Sequence, residues 1–145
     1  MAFDVERLLQ LWTDLPADDA AAAAAFGELY TDPVRVNGAS VPVTTLVARA
    51  RALHGALDRI ERQVLEVVDA GAQVAVAFRL SGVHVGPLST SAGPVPPTGQ
   101  VVALRVIDVL TLLDGRVAGI VMVADELGAL LGIGVVRPFA DHRGS

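Results

Sequence analysis

The chain has 145 residues, a formal net charge of −5 and no cysteine, which fits one domain and excludes disulfides, thiol nucleophiles and thiolate metal sites. All eleven basic residues are arginine, so lysine Schiff bases and covalent pyridoxal attachment are excluded too. The arginines are scattered singly and aromatic residues make up only 4% of the chain, leaving neither the basic stripe nor the stacking platform that nucleic-acid binding uses.

In chain order, the first helix is signalled by Asp4 as an N-cap and by Val5, Leu8, Leu9, Trp12 and Leu15 at helical spacing before Pro16. Asp18 or Asp19 starts a second helix through the alanine run, with Phe26, Leu29 and Tyr30 as its bulky face and Asp32-Pro33 as its stop. A short strand, Val34 to Val36, leads into the Asn37-Gly38 turn. A third helix is expected from about Thr44 to Ile60, with Leu46, Val47, Ala50, Leu53, His54, Leu57 and Ile60 on one face.

From there the period changes. Val64 to Val68, Val74 to Leu80, Val101 to Leu112 and Val117 to Val123 are β-branched runs divided by turns at Gly71 and Asp114-Gly115. The connection from Gly86 to Gln100 carries four prolines and reads as a lid-like loop. A short helix, Glu126 to Leu131, precedes a tail expected to be mobile from about residue 136. Helices first and a mostly antiparallel sheet afterwards is an α+β order. A sheet of this kind curled around three N-terminal helices forms a cone, and one domain over residues 1–145 accounts for the whole pattern.

The opening Met-Ala-Phe-Asp-Val-Glu-Arg lacks the basic start and apolar stretch of a signal peptide. No apolar run approaches the ~18 residues that suggest a membrane span. A cytoplasmic protein without a membrane partner is therefore expected.

Several stretches together resemble the SnoaL-like polyketide cyclases, a branch of the nuclear-transport-factor-two-like cone folds: "DLPADDAAAAAAFGELYTDPVRVNG", "LVARARALHGAL", "GVHVGPL", "PPTGQVVALRVIDVLTLLDGRV" and "VADELGALLGIG". The resemblance runs from about Leu8 to Gly134. It implies a cofactor-free enzyme of natural-product biosynthesis that folds an apolar polyketide in a deep cavity and closes a carbon ring. In aldol-type members a carboxylate near the end of the last strand is the base, and Asp125 matches it. The acid–base partner that often precedes the Asp-Gly turn is replaced by Thr111, and Val121 stands where an aromatic is common.

The residues themselves leave alternatives open. Asp125 is either a base at the cavity mouth or the N-cap of the last helix. Asp108 shares strand parity with Val102, Leu104, Val106, Leu110 and Leu112, so it is either a structural carboxylate paired with an arginine or a proton-transferring group in a dry pocket. The opposite parity is little more polar, which suggests that both faces are covered, one by helices and one by a partner subunit in a homodimer.

Tyr30 is a candidate donor to a substrate carbonyl, and Trp12, His54, His84 and Thr111 are candidate substrate contacts. His84 is expected near the cavity rim, and His142 falls in the tail. Three scattered histidines make a poor metal site, and no cofactor is implied. Two mechanisms compete. In one, Asp125 or Asp108 removes a proton next to a carbonyl while Tyr30 or His54 stabilises the enolate. In the other, favoured slightly by the scarcity of polar groups, the cavity is a template for a [4+2] cycloaddition aided by one hydrogen bond from Tyr30 or Trp12. A binding protein that leaves its ligand unchanged, or an isomerase or epoxide hydrolase of the same fold, remains the alternative. Every version needs a hollow with Trp12 and Tyr30 among its walls.

Overall fold

The computed structural model describes residues 2–140; His142 and the end of the tail lie outside them. Helix α1 (Val5–Thr13) begins where the Asp4 carboxylate accepts the Arg7 amide, and it buries Val5, Leu8 and Leu9 on one stripe. Helix α2 (Asp19–Leu29) is capped the same way by Asp18 and buries Ala22, Phe26 and Leu29. Both caps satisfy amides that the first helical turn leaves without an internal partner.

Tyr30 does not extend α2. It takes extended backbone angles as the C-cap residue and is the first residue of β1 (Tyr30–Val36). The chain therefore passes from helix to strand without a loop. Asn37 and Gly38 both have positive φ, the geometry of a two-residue hairpin turn, and return the chain into β2 (Ala39–Val41).

Helix α3 (Val43–Ala56) receives its cap from a distance, the Val43 amide donating to the Asp32 carboxylate at 3.1 Å. It ends four residues short of the expected Ile60. Leu57 pairs with His84 and Asp58 with Val83, so strand pairing overrides the helical spacing of Leu57 and Ile60 and β3 (Leu57–Asp69) starts at once.

Strands β4 (Gln73–His84), β7 (Val101–Leu113) and β8 (Arg116–Ala124) complete the main sheet. Its order is β2-β1-β8-β7-β4-β3, antiparallel throughout except for the parallel β1–β8 pair. The proline-rich connection is not an unstructured loop. It contains the hairpin of β5 (Leu88–Thr90) and β6 (Gly93–Val95), whose Ser91 amide donates to the Glu126 carboxylate. Helix α4 (Glu126–Gly132) follows β8 directly.

One apolar core joins α1, α2 and α3 to the inner face of the sheet through Phe26, Leu46, Val76, Phe78, Val106 and Leu110. A smaller one gathers Leu57, Val95, Val102, Leu130 and Ile133 under α4 and the hairpin. The inner face is read directly from register: Val76 pairs with Asp108, and Asp108 with Met122. No described helix is long and apolar enough to cross a membrane.

Candidate active site

Asp108 lies on the inner face, in the parity of Val102, Val106 and Leu110, all buried. It is only 8% exposed, and its Oδ1 is buried without a hydrogen-bond partner. No arginine pairs with it among the described ion pairs. Burial without compensation disfavours the charged form, and the carboxyl is pushed up to about 6 from its ordinary 3.8.

Tyr30 closes the other side of the same space. Its hydroxyl oxygen accepts the Trp12 indole N–H at 2.8 Å, and the ring stacks on Phe26, which also receives the edge of Trp12. Burial drives the phenol well above its ordinary pKa; the Trp12 hydrogen bond draws it back, and the charge of Asp108 adds to the rise. Residues from α1, β1 and β7 thus face one apolar interior: a phenol that accepts from the Trp12 indole, and an unpaired carboxylate whose charge reaches that phenol.

The structure does not place the other candidates there. Asp125 caps α4, its Oδ1 accepting the Gly128 amide at 2.9 Å, and it pairs with Arg105 across 3.7 Å, both side chains well exposed. Arg105 has the parity opposite to Asp108, so this pair lies on the outer face. Thr111 is on that outer face too, exposed, where its hydroxyl accepts from Gln73.

His54 is exposed and is not among the buried residues of α3, which include Leu46, Val47, Ala50 and Ala56. Its Nε2–H donates to the Trp12 carbonyl at 2.8 Å, tying α3 to the end of α1. His84 is not at a rim but fully buried at the end of β4. The Thr98 amide donates to its Nδ1 at 3.2 Å, which puts the ring proton on Nε2, a buried atom without a partner.

Two side chains escaped the sequence reading. Met122 stands opposite Asp108 in the register and is 44% exposed. Arg62 pairs with Leu80 on the inner face, and its guanidinium donates to the Thr13 hydroxyl at 2.7 Å. The signal was present, since Ile60, Arg62 and Val64 share strand parity and are all half-buried.

The expected hollow is occupied by protein. Trp12, Phe26 and Tyr30 fill the space between helices and sheet, and Phe26 and Tyr30 are almost wholly inaccessible. Two cavities lie instead between helices. One of about 190 Å³ between α1 and α2 is bordered by Arg7, Leu11, Pro16 and Leu29. One of about 410 Å³ between α2 and α3 is bordered by Asp19, Val47 and Arg51. Neither is lined by Trp12, Tyr30 or Asp108. The physical reason is that these aromatic and apolar side chains gain dispersion contacts by packing closely against one another and the sheet. Among the described residues no group of three or more His, Asp or Glu side chains is arranged to hold a metal ion.

Comparison with known proteins agrees with the cone. A candidate SnoaL-like polyketide cyclase from Jannaschia sp. CCS1 is 28% identical, with a TM-score of 0.70 over 92% of each chain. TsrD from Streptomyces laurentii is 19% identical, with a TM-score of 0.71 over 92% of this chain and 98% of its own. IdmH from Streptomyces antibioticus, described as a candidate polyketide cyclase, is 16% identical with a TM-score of 0.67, over 89% of this chain and 96% of its own. No curated protein matches in sequence. The model of the SnoaL-like polyketide cyclases matches residues 6–132, and the chain belongs to that family.

Proposed function

We propose that this protein is a cofactor-independent polyketide cyclase of natural-product biosynthesis that closes a carbocycle by intramolecular aldol chemistry, with Asp108 as the base. The single observation behind this choice is the carboxylate of Asp108, buried on the inner face of the sheet with Oδ1 unpaired. A carboxylate neutralised by an arginine would have argued for a purely apolar template.

In the proposed reaction the Asp108 carboxylate takes a proton from the carbon next to a substrate carbonyl. The enolate carbon attacks a second carbonyl of the same chain, forming the ring bond, and the resulting alkoxide recovers the proton from Asp108. The product is an isomer of the substrate. Tyr30, with its oxygen already accepting from Trp12, directs its own proton to the enolate oxygen, where a fixed donor in a dry site is worth most. Val76, Phe78, Val106 and Leu110 present the surface against which the chain folds, and holding both reacting carbons together supplies the larger share of the acceleration. The substrate must displace side chains to enter, and Trp12 on α1 is the one that covers the Tyr30 hydroxyl.

The experiment is to incubate the protein and its Asp108→Asn variant with a linear poly-β-ketone or polyene precursor and follow ring closure as a retention shift without mass change. An aldol cyclase loses turnover by a factor of 100 or more in Asp108→Asn. Undiminished turnover would instead assign a [4+2] template, and ligand binding without conversion would assign a carrier.

We also propose that two copies pair through the outer face of the sheet. Ile107, paired in register with Val123, and Val109, paired with Val121, form a nearly uncharged strip in which Ile107, Val121 and Val123 are each more than half exposed. Sedimentation of the native protein and of Val123→Glu checks this: a dimer that becomes a monomer on substitution is expected.

A further inference from the structure

We propose that Arg62 is the anchor for an anionic end of the substrate, so that the guest is a carboxylate-bearing polyketide rather than a neutral one. This rests on the reading of the cone interior as the substrate site. The structural relationship is the placement of Arg62 on the inner face of β3, at the edge of the sheet, with its guanidinium against the last turn of α1.

Arg62 is half-buried, and its Nε is fully buried without a hydrogen-bond partner. A guanidinium carries five N–H donors fixed in one plane, and a carboxylate is the partner that accepts two of them in parallel. Here one donor goes to the Thr13 hydroxyl. The Glu6 carboxylate stands 3.6 Å from Nε, too far for a hydrogen bond, and its side chain is 65% exposed.

Glu6 therefore behaves as a loosely held stand-in: it shows which chemistry the free N–H group attracts and leaves it unsatisfied. A ligand carboxylate that enters beneath α1 would take that position while Glu6 turns outward into water. Thr13 follows Trp12 directly, so the anchor and the Tyr30 donor are set by adjacent residues of one helix. An extended chain held by its acid end at Arg62 would run across Phe78 toward Asp108, since Phe78 lies on β4 between Leu80 beside Arg62 and Val76 beside Asp108.

The test uses cis-parinaric acid, a conjugated polyene carboxylate that fluoresces in apolar surroundings, and its methyl ester, titrated into the native protein, Arg62→Gln, Arg62→Lys and Glu6→Gln. The native protein is expected to prefer the acid by about 10-fold, a difference of about 1.4 kcal/mol. Glu6→Gln widens the preference, Arg62→Gln brings the ratio to about one, and Arg62→Lys keeps part of it. An acid-to-ester ratio that is the same in the native protein and Arg62→Gln overturns the anchor and leaves the interior as a guest site. Binding of neither probe overturns both. If Arg62→Gln does not fold, Glu6→Gln decides alone, because an unchanged ratio in that variant contradicts competition for the same donors.

Discussion

The indole N–H of Trp12 donates to the hydroxyl oxygen of Tyr30 at 2.8 Å, and no other side-chain bond is made by that hydroxyl among the described residues. Helix α1 and strand β1, 18 residues apart in sequence, are thereby joined at the point where the cone closes. The bond consumes a lone pair of the phenol and leaves its proton to give. Removing the two partners should then have unequal effects. Tyr30→Phe strands a half-buried N–H, costing about 1–3 kcal/mol in stability, and deletes the donor to the enolate, lowering kcat by roughly 10²–10³-fold. Trp12→Phe leaves the phenol in place and should lower kcat by about tenfold, the worth of roughly one polarising hydrogen bond. Urea midpoints and turnover of both variants check the order; equal losses in kcat would remove Tyr30 from the reaction.

Asp108 makes the sign of a pH effect explicit. Its folded pKa of about 6 lies above the ordinary 3.8, so the folded state binds the proton more tightly than the unfolded chain. Stability from this group is full below about 4, falls as pH rises toward 6, and stays lower above it. The shift of about two units corresponds to about 3 kcal/mol. Asp108→Asn should therefore stabilise the protein at pH 8 by about 1–3 kcal/mol and give little gain near pH 4, measured by denaturant unfolding at both pH values. The same carboxylate acts as a base only when ionised, so kcat/KM of the native enzyme should climb through pH 6 and level off. A stabilised but inactive Asp108→Asn is the expected signature.

That Asp108 shares a face with Val102, Val106 and Leu110 was legible in the sequence, because a strand's period of two is local, but which face turns inward was not, since both parities of β7 are apolar and only the burial pattern of the fold separates them. The α1 stripe and the Asp4 and Asp18 caps were legible for the same reason: they depend on local spacing. What was not legible depends on contacts distant in sequence. The end of α3 is decided by pairing of Leu57 with His84, 27 residues on, and no local pattern carries that. His54 has the spacing of a buried residue but is exposed, because the last turn of α3 turns Leu53 and Ala56 toward the smaller core instead. Tyr30 fits the face of α2, yet its backbone is already extended, since the parallel pairing of β1 with β8 begins at Tyr30 and Val117. The unpaired state of Asp108 was likewise invisible, because whether an arginine distant in sequence reaches it is set by the fold, and among the described residues none does.

Helix α1 carries the closure. It buries Val5, Leu8 and Leu9 in the core, and polar contacts tie it to its neighbours besides: Arg7 to Glu28 of α2, the Trp12 carbonyl to His54 of α3, and Thr13 and Glu6 to Arg62 of β3. The exposed ion pair of Arg7 and Glu28 contributes roughly 0–1 kcal/mol, so the cost of lifting α1 from the sheet is set chiefly by exposing Val5, Leu8 and Leu9. The chain has no native cysteine, which makes Arg7→Cys with Glu28→Cys a clean pair for a short bismaleimide bridge. Bridging should lower the association rate of an apolar guest by at least tenfold while the unbridged double variant binds normally. Stopped-flow titration of both forms measures it, and equal rates would mean that guests enter by another route.

Asp125 offers the sharpest separation of roles. As the cap of α4 it needs an oxygen that accepts the Gly128 amide, and serine supplies one as well as aspartate does. As a base it needs a carboxylate, which serine lacks. Asp125→Ser should therefore keep both the unfolding midpoint and turnover near the native values. Asp125→Ala should lose about 1 kcal/mol of stability with kcat scarcely changed. If Asp125→Ser folds normally and turnover collapses, the base is at the head of α4 and Asp108 is a structural acid. The geometry argues the other way, because the Asp125 carboxylate already holds a backbone amide and faces Arg105 in solvent rather than the apolar interior.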